Sequence, residues 1–175
     1  MSDATILAID NGTQSVRALL FDLQGNIVAK TQVHLEAYFS EYPGWAEHDP
    51  LDYWNAVCTA CQRLWAENPA AKATVQGVAV TTQRGTMINL GADGQPLRPA
   101  INWLDQRRTD TVPPLGALWR LAFKLVGVSH TINYFRGEAE ANWIKAHQPD
   151  IWVQTHHYVM LSGYLNHRLC GSFID

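Results

Sequence analysis

Six small polar residues, DNGTQS at positions 10–15, interrupt two apolar segments near the start of the sequence. A glycine-containing polar turn between antiparallel strands can point backbone N–H groups and hydroxyls into one concavity, which is an arrangement that binds phosphate oxygens. Asp10 would face that concavity, and a carboxylate beside phosphates is favourable only when a cation lies between them. The residue types therefore indicate a phosphate site with Asp10 as a magnesium ligand and Arg17 as a neutralising cation. A plain hairpin with a solvated Asp10 fits the same pattern.

The elements that must position this turn are strands. Apolar runs at 5–9, 16–22 and 26–35, separated by turn residues, predict three sequential strands. Asp49 then offers a helix N-cap followed by a proline at the first helical position, which predicts a helix that ends near residue 68. Two further strands are predicted at 75–82 and 86–90.

The second half of the sequence has a helical pattern. Helices are predicted at 106–111, 115–126, 138–147 and about 154–169, and glycines and prolines separate them. Strands followed by helices indicate a mixed α/β domain with a helical insertion. Because no repeat, low-complexity tract or long linker divides the chain, we expect one domain.

Cys58 and Cys61 form a C-x-x-C pair that zinc and redox sites also use. No second pair of cysteines or histidines follows at zinc-finger spacing. Both residues share one face of the predicted helix with Trp54, Val57 and Leu64, which favours thiols in a helix core.

The composition of the chain limits the classes of partner that it is expected to bind. The chain has 175 residues, of which 47% are hydrophobic and 17% charged, and a formal net charge of -3, which permits one domain with a sizeable core. Scattered lysines and arginines provide no basic field, which disfavours nucleic acid and anionic membranes as partners. No apolar stretch approaches the roughly 20 residues of a membrane span, and the start MSDA lacks a signal-peptide pattern. We therefore expect a cytoplasmic protein.

Several motifs resemble one family in order and spacing. AIDNGTQSVRA at 8–18 is similar to the D-x-G-T-x-S-x-R phosphate loop of the FGGY carbohydrate kinases, which include glycerol kinases and xylulokinases. PGWAEHDP at 43–50 and TTQR at 81–84 are similar to glycerol kinase segments. Further matches are PAINW at 99–103, RRT at 107–109 and YF at 134–135. Each motif is weak alone, but their order is specific, and the similarity extends from Thr5 to about Asp175.

The resemblance implies an α/β fold of the ribonuclease-H-like, actin-like ATPase type, with a mixed sheet, flanking helices and a helical insertion. It makes residues 1–175 an N-terminal domain whose C-terminal partner domain is absent from this chain. The implied cofactors are ATP and Mg2+, with Asp10 in the metal role. The general base is expected beyond residue 175. The nucleotide phosphates are assigned to Gly12, Thr13, Gln14, Ser15 and Arg17. Glycerol kinases commonly carry Thr at the position of Gln14, whose amide can still donate to a phosphate.

The resemblance also implies an acceptor pocket. A guanidinium fork at Arg84 suits vicinal hydroxyls, and aromatic side chains stack on the C–H faces of sugars. Glycerol kinases carry Glu, and xylulokinases Met-His, where this chain has Gly85. We expect the missing side chain to enlarge the pocket in favour of a bulkier acceptor, whose identity stays open. The residues assigned to the acceptor are Gln83, Arg84, Gly85, Trp103 and Tyr134.

The function implied is that of the N-terminal domain of an ATP-dependent kinase that phosphorylates a sugar or polyol hydroxyl. An alternative is a non-catalytic domain of the same fold that senses nucleotides or mediates interactions. Catalysis would need the second domain, and without it we expect exposed apolar surface and self-association into homo-oligomers.

Overall fold

The computed structural model describes residues 4–173, so the first residues of the signal-peptide expectation and the end of the family similarity lie outside it. Its first sheet has the order β3-β2-β1-β5. The strands are β1 (Thr5–Asn11), β2 (Ser15–Asp22), β3 (Ile27–His34) and β5 (Val75–Thr82). β1 is antiparallel to β2 and parallel to β5, so β5 ends beside the β1–β2 hairpin.

Strict alternation of side chains buries one face of this sheet. Leu7 and Ile9 on β1 are buried while the residues between them are partly exposed, as expected for a strand with one face on the core. Helix α1 (Pro50–Glu67) contacts β1, β2 and β3. The fully buried core residues in these elements are Val16, Ala18, Leu20, Tyr53, Ala60 and Leu64.

Helix α1 begins as the sequence predicts. The Asp49 carboxylate accepts a hydrogen bond from the Leu51 amide at 2.9 Å, and Pro50 occupies the first turn. Cys61 packs against the core and Cys58 is half-buried. Burial raises the pKa of the Cys61 thiol to about 11, so this thiol stays protonated at neutral pH. The prediction of a thiol in the helix core is confirmed for Cys61.

A second sheet of four strands is entirely antiparallel and has the order β4-β7-β6-β8. Its strands are β4 (Glu47–His48), β6 (Met87–Leu90), β7 (Ala100–Ile101) and β8 (His157–Met160). β6 and β7 both lie between residues 86 and 103. At the end of this stretch the chain returns toward the first sheet, where Trp103 is located.

In the described part of the chain, five α-helices follow α1. They are α2 (Ala117–Val126), α3 (Ser129–Glu138), α4 (Glu140–His147), α5 (Pro149–Gln154) and α6 (Leu161–Cys170). A short 3-10 helix at Pro69–Thr74 leads into β5. Within residues 4–173, no helix is both long and apolar enough to cross a membrane.

The prediction of a helix at 106–111 is wrong. The amides of Gln106 and Thr109 donate to the carbonyls of Gly44 and Gly137, at 2.7 and 3.0 Å, and not to their own segment. Arg107 is bound to the Asp105 carboxylate through its side chain and its amide. These bonds across the fold use the donors that a helix would need.

The prediction of a helix at 154–169 is wrong over the first half of that range. Residues His157–Met160 form β8, which pairs with β6, and the helix starts only at Leu161. Conversely, α3 forms at Ser129–Glu138, where the sequence predicts no helix. In β8, pairing with the open edge of β6 overrides the helical preference of the local sequence.

Candidate nucleotide and acceptor site

The β1–β2 hairpin is held rigidly by its neighbours. Asn11 pairs with Val16 at the end of the ladder. The Gly12 amide donates to the Ser15 carbonyl at 3.0 Å and closes the loop. The Leu35 amide, just beyond β3, donates to the Gln14 carbonyl at 3.0 Å. The loop is therefore fixed from both sides by the sheet.

This loop presents free hydrogen-bond donors. The backbone N–H groups of Thr13 and Gln14 have no acceptor among the residues that the structure describes. Hydroxyls of Thr13 and Ser15 lie in the same loop. A hollow of about 290 Å³ opens here, and its lining is Gly12, Thr13, Gln14, Ser15, Arg17, Gln32 and His34. Free amides, hydroxyls and one guanidinium around a hollow suit a phosphate group.

Asp10 and Arg17 are cross-strand partners in the β1–β2 ladder. The Arg17 Nη1 donates to the Asp10 Oδ2 at 2.9 Å, and both side chains remain substantially exposed. No group of three histidine, cysteine or carboxylate side chains that could hold a metal occurs in residues 4–173. A magnesium ion at Asp10 would therefore take most of its ligands from phosphates and water, which is how proteins usually bind this ion with a nucleotide.

Gln83 and Arg84 follow β5 beside the hairpin. The Gln83 amide donates to the Asn11 carbonyl at 2.9 Å, which extends the pairing of β5 with β1. The Gln83 side chain turns inward and donates to the Tyr53 hydroxyl at 3.0 Å. Arg84 is exposed, and no side chain in the described part of the chain neutralises it. Its guanidinium is thus available to a ligand.

Trp103 joins the hairpin to the Gln83–Gly85 segment. Its Nε1 donates to the Thr13 Oγ1 at 3.1 Å, so the Thr13 hydroxyl keeps its own hydrogen for another acceptor. Gly85 has a φ of +68°, and a Cβ built there would lie 3.2 Å from the Trp103 Cβ. The missing side chain at Gly85 therefore lets Trp103 approach. Beyond the chain neighbours of Gly85, only the Cβ and Cα of Trp103 among the described residues lie within 4 Å of that position, so the larger acceptor pocket that the sequence suggests stays a prediction.

Tyr134 makes its polar contact with Arg108. It is on α3, where its hydroxyl accepts a hydrogen bond from Arg108 and the Arg108 guanidinium carbon lies 4.1 Å from the ring centroid. Arg108 also pairs with Glu138 at 2.8 Å. In the described residues Tyr134 has no hydrogen bond or ring contact with the hairpin or Trp103. Hydrogen bonds thus join the hairpin to Gln83 and to Trp103, while an acceptor role for Tyr134 stays a prediction.

Sequence reasoning missed His34 and Gln32, which line the hairpin hollow. Their position follows from strand register, because Ser15 is opposite His34 and Arg17 is opposite Gln32. Pairing the predicted second and third strands across their tight turn could have found them.

A buried polar cluster lies beneath the loop. Asn11 is fully buried, and neither the nitrogen nor the oxygen of its side-chain amide has a hydrogen-bond partner among the described residues. The Tyr53 ring lies 4.6 Å from the His48 ring. Burial raises the pKa of Tyr53 to about 12 and lowers the pKa of His48 below its usual value. Both side chains are therefore neutral at pH 7.

A buried ion network holds the segment that carries Trp103. Glu47 on β4 pairs with Arg98 and, at 2.8 Å, with Arg107. Arg107 also pairs with Asp105 at 2.6 Å. Asp105 accepts a hydrogen bond from the Ala46 amide at 2.7 Å. The network ties residues 98–107 to β4 on both sides of Trp103.

The sequence matches the model of the FGGY family of carbohydrate kinases, N-terminal domain, over residues 5–175. Among curated proteins, glycerol kinase of Ligilactobacillus salivarius is 38% identical over 116 residues, which cover 66% of this chain and 23% of that protein. Glycerol kinase of Delftia acidovorans is 39% identical over 103 residues, which cover 58% of this chain and 20% of that protein. The chain thus spans about a fifth of the length of these relatives.

Solved structures share the fold. Xylulose kinase from Rhodospirillum rubrum matches with a TM-score of 0.79 and 23% identity over 97% of this chain and 35% of that chain. Plasmodium falciparum glycerol kinase with ADP matches with a TM-score of 0.66 and 24% identity, again over 97% and 35%. The fold is the expected α/β ribonuclease-H-like, actin-like ATPase type. With the family match over nearly its whole length, the chain belongs to the FGGY family of carbohydrate kinases, as an N-terminal domain.

Proposed function

We propose that this chain supplies the phosphate loop and one wall of the acceptor pocket to an ATP-dependent kinase that phosphorylates a sugar or polyol hydroxyl. The observation that carries the proposal is the hydrogen bond from Trp103 to Thr13, at 3.1 Å. It connects the residue assigned to the acceptor with the loop assigned to the phosphates. A phosphoryl transfer needs those two ligands side by side.

Four residues of the hairpin have a stated role in this proposal. The free amides of Thr13 and Gln14 and the Thr13 hydroxyl donate to phosphate oxygens, and Arg17 neutralises part of their charge. The exposed carboxylate of Asp10 would hold Mg2+, directly or through water. When bound, the ion neutralises charge on the phosphates. Because the Asp10–Arg17 pair is exposed, exchanging one partner for a ligand costs little.

The general base must come from elsewhere. Asp10 is the only carboxylate among the residues assigned to the site, and it is engaged by Arg17. Curated relatives are several times longer than the matched region. We therefore assign the base, the adenosine site and the closure over the substrates to a second, C-terminal domain, and we expect no turnover from residues 1–175 alone.

The acceptor is proposed only as a class. Curated relatives are named glycerol kinases, and structural neighbours include xylulose kinases and a gluconate kinase from Lactobacillus acidophilus. In this proposal the exposed Arg84 donates to acceptor hydroxyls. Trp103, which is 53% exposed, offers its aromatic ring to the acceptor. All three cysteines are free thiols, which supports a cytoplasmic location.

The nucleotide part is tested by calorimetric titration of the chain with ATP, with and without magnesium. Asp10→Asn keeps the shape and removes the charge, so it should weaken binding of magnesium-ATP more than binding of metal-free ATP. Asp150→Asn, on the first turn of the distant α5, is the matched control. Equal losses with and without magnesium would remove Asp10 from the metal role.

The acceptor part is tested in a kinase that carries this domain together with its C-terminal partner. Arg84→Lys should raise the KM for the sugar strongly and the KM for ATP little, because an ammonium group cannot reproduce a planar pair of hydrogen bonds. ADP release is followed with glycerol, xylulose and gluconate as acceptors. If no acceptor stimulates ADP release or tightens nucleotide binding, the non-catalytic sensing domain is the better proposal.

A further inference from the structure

A second hollow, far from the hairpin in sequence, lies between α2 and α3. It measures about 380 Å³. Three cationic side chains line it, Arg120 and Lys124 from α2 and Arg136 from α3. Ser129 and Asn133 add a hydroxyl and an amide, and Phe123 adds an apolar wall. No acidic residue is part of its lining.

The charge around this hollow is unbalanced. Between Asp110 and Glu138 the sequence contains no acidic residue, although the whole chain has more acidic than basic residues. Arg120 and Lys124 are four residues apart on one helix, where like charges repel. Neither has an ion-pair partner in the described part of the chain. An anion in the hollow would relieve this repulsion.

Arg136 is held in place at the rim. Its guanidinium donates to the Pro113 carbonyl, which ties α3 to the segment that leads into α2. One hydrogen bond uses only part of the guanidinium, which has five N–H donors. The remaining donors are available to a ligand in the hollow, where Arg136 would form one side of the site.

A neighbouring hollow of about 330 Å³ extends the same surface. It shares Val112, Asn133 and Arg136 with the hollow between α2 and α3 and adds Arg108, His130 and the acidic Asp110. Arg108 differs from the other cations because Glu138 neutralises it. The unpaired positive charge is therefore concentrated on the side formed by Arg120, Lys124 and Arg136.

We propose that the hollow between α2 and α3 binds a small organic anion with at least two negative charges, at a site separate from the phosphate loop. Three cations with an amide and a hydroxyl match the oxygens of phosphate or carboxylate groups, and Phe123 matches a short carbon skeleton. Phosphate esters and polycarboxylates share this chemistry. The proposal concerns ligand binding by this chain and does not depend on catalysis.

The test uses two probes, pyrophosphate and citrate, which represent phosphate and carboxylate anions. Amide NMR signals of the chain are followed during each titration, because they separate the two sites by position. Binding in the hollow shifts signals of residues 129–136, whereas binding at the hairpin shifts signals of residues 12–15. We expect at least one probe to shift the signals of 129–136 in a saturable manner.

Matched variants separate a built site from diffuse attraction. Arg120→Gln with Lys124→Gln should weaken binding at 129–136 by roughly tenfold and leave the hairpin shifts unchanged. Arg63→Gln with Lys72→Gln removes the same charge from two exposed positions on α1 and the 3-10 helix, and should change binding less than twofold. Preference for one probe then assigns the anion type. Absence of saturable shifts at 129–136 with both probes, or equal loss in both double variants, would overturn the proposal.

Discussion

The hairpin end of the first sheet and the α2–α3 pair are packed very differently. Val16 and Leu20 on β2 are 0% exposed, and the hairpin is bonded to both neighbouring strands. In contrast, α2 and α3 contain no buried residue, and Leu118 and Leu125 on α2 are 77% and 79% exposed. One region is supported by the core and the other by surface contacts.

This difference separates the residues assigned to function into two groups. Asp10, Thr13 and Trp103 are held on a scaffold whose positions are set by complete strand ladders and by buried ion pairs. Tyr134 and the cations of the second hollow lie on helices with few buried contacts, which open locally at lower free energy. We expect the first group to be preorganised and the second to be ordered by ligands or by a neighbouring domain.

The largest expected effect is at the buried ion network. Glu47→Gln leaves Arg98 and Arg107 without their shared carboxylate in a buried position, which should lower the free energy of unfolding by about 4 kcal/mol. Glu138→Gln, which breaks an exposed pair on α3, should cost less than about 1 kcal/mol. Urea unfolding measures both. Similar losses for the two variants would contradict the contrast between the regions.

A similar contrast applies to apolar packing. Ile9 is 1% exposed, so Ile9→Ala leaves a cavity in the core and should lower the free energy of unfolding by about 3 kcal/mol. Leu125→Ala on α2 removes a solvent-facing side chain and should change stability by no more than about 0.5 kcal/mol. If thermal unfolding shows a larger loss for Leu125→Ala, then α2 is covered in solution, for example in a homo-oligomer.

A smaller effect is expected where Trp103 contacts the hairpin. Trp103→Phe keeps the aromatic ring and removes the N–H that donates to Thr13, which should lower local stability by about 1 kcal/mol. The measurement is hydrogen exchange of the Gly12 and Leu35 amides, which are bonded to the Ser15 and Gln14 carbonyls and should exchange several-fold faster. Trp119→Phe on α2 is the control and should leave those amides unaffected. Unchanged exchange in the Trp103 variant would show that the hairpin is held by its strands alone.

The last prediction concerns pH. Burial lowers the pKa of His48 below that of the unfolded chain, so the unfolded state binds a proton first as the pH falls. Stability should therefore be highest above about pH 6.5 and decrease as the pH falls through the lowered pKa of the folded state. His48→Gln should remove part of this dependence, whereas His130→Gln, at an exposed position on α3, should not. Unfolding followed between pH 7 and 5 provides the comparison.

Local signals predicted the elements around the hairpin well. The first three strands, the Asp49 cap and the strand at 75–82 are confirmed because turn residues and alternation are properties of neighbouring positions. Prediction was wrong at 106–111 and incomplete at 154–169, where bonds to Gly44, Gly137 and β6 decide the backbone. Those partners are distant in sequence, so no local sequence pattern indicates them.

The sequence by itself determined the family and predicted the hairpin with its polar turn, because ordered motifs and a glycine-containing polar turn are visible without a fold. Only the tertiary structure decided that Trp103 donates to Thr13, 90 positions away in the sequence. It also decided that Gly85 passes close to Trp103, that His34 lines the hollow and that Tyr134 binds Arg108. The physical reason is that such contacts depend on strand register and on which strand edges and buried charges find partners, and these are set by the whole chain at once.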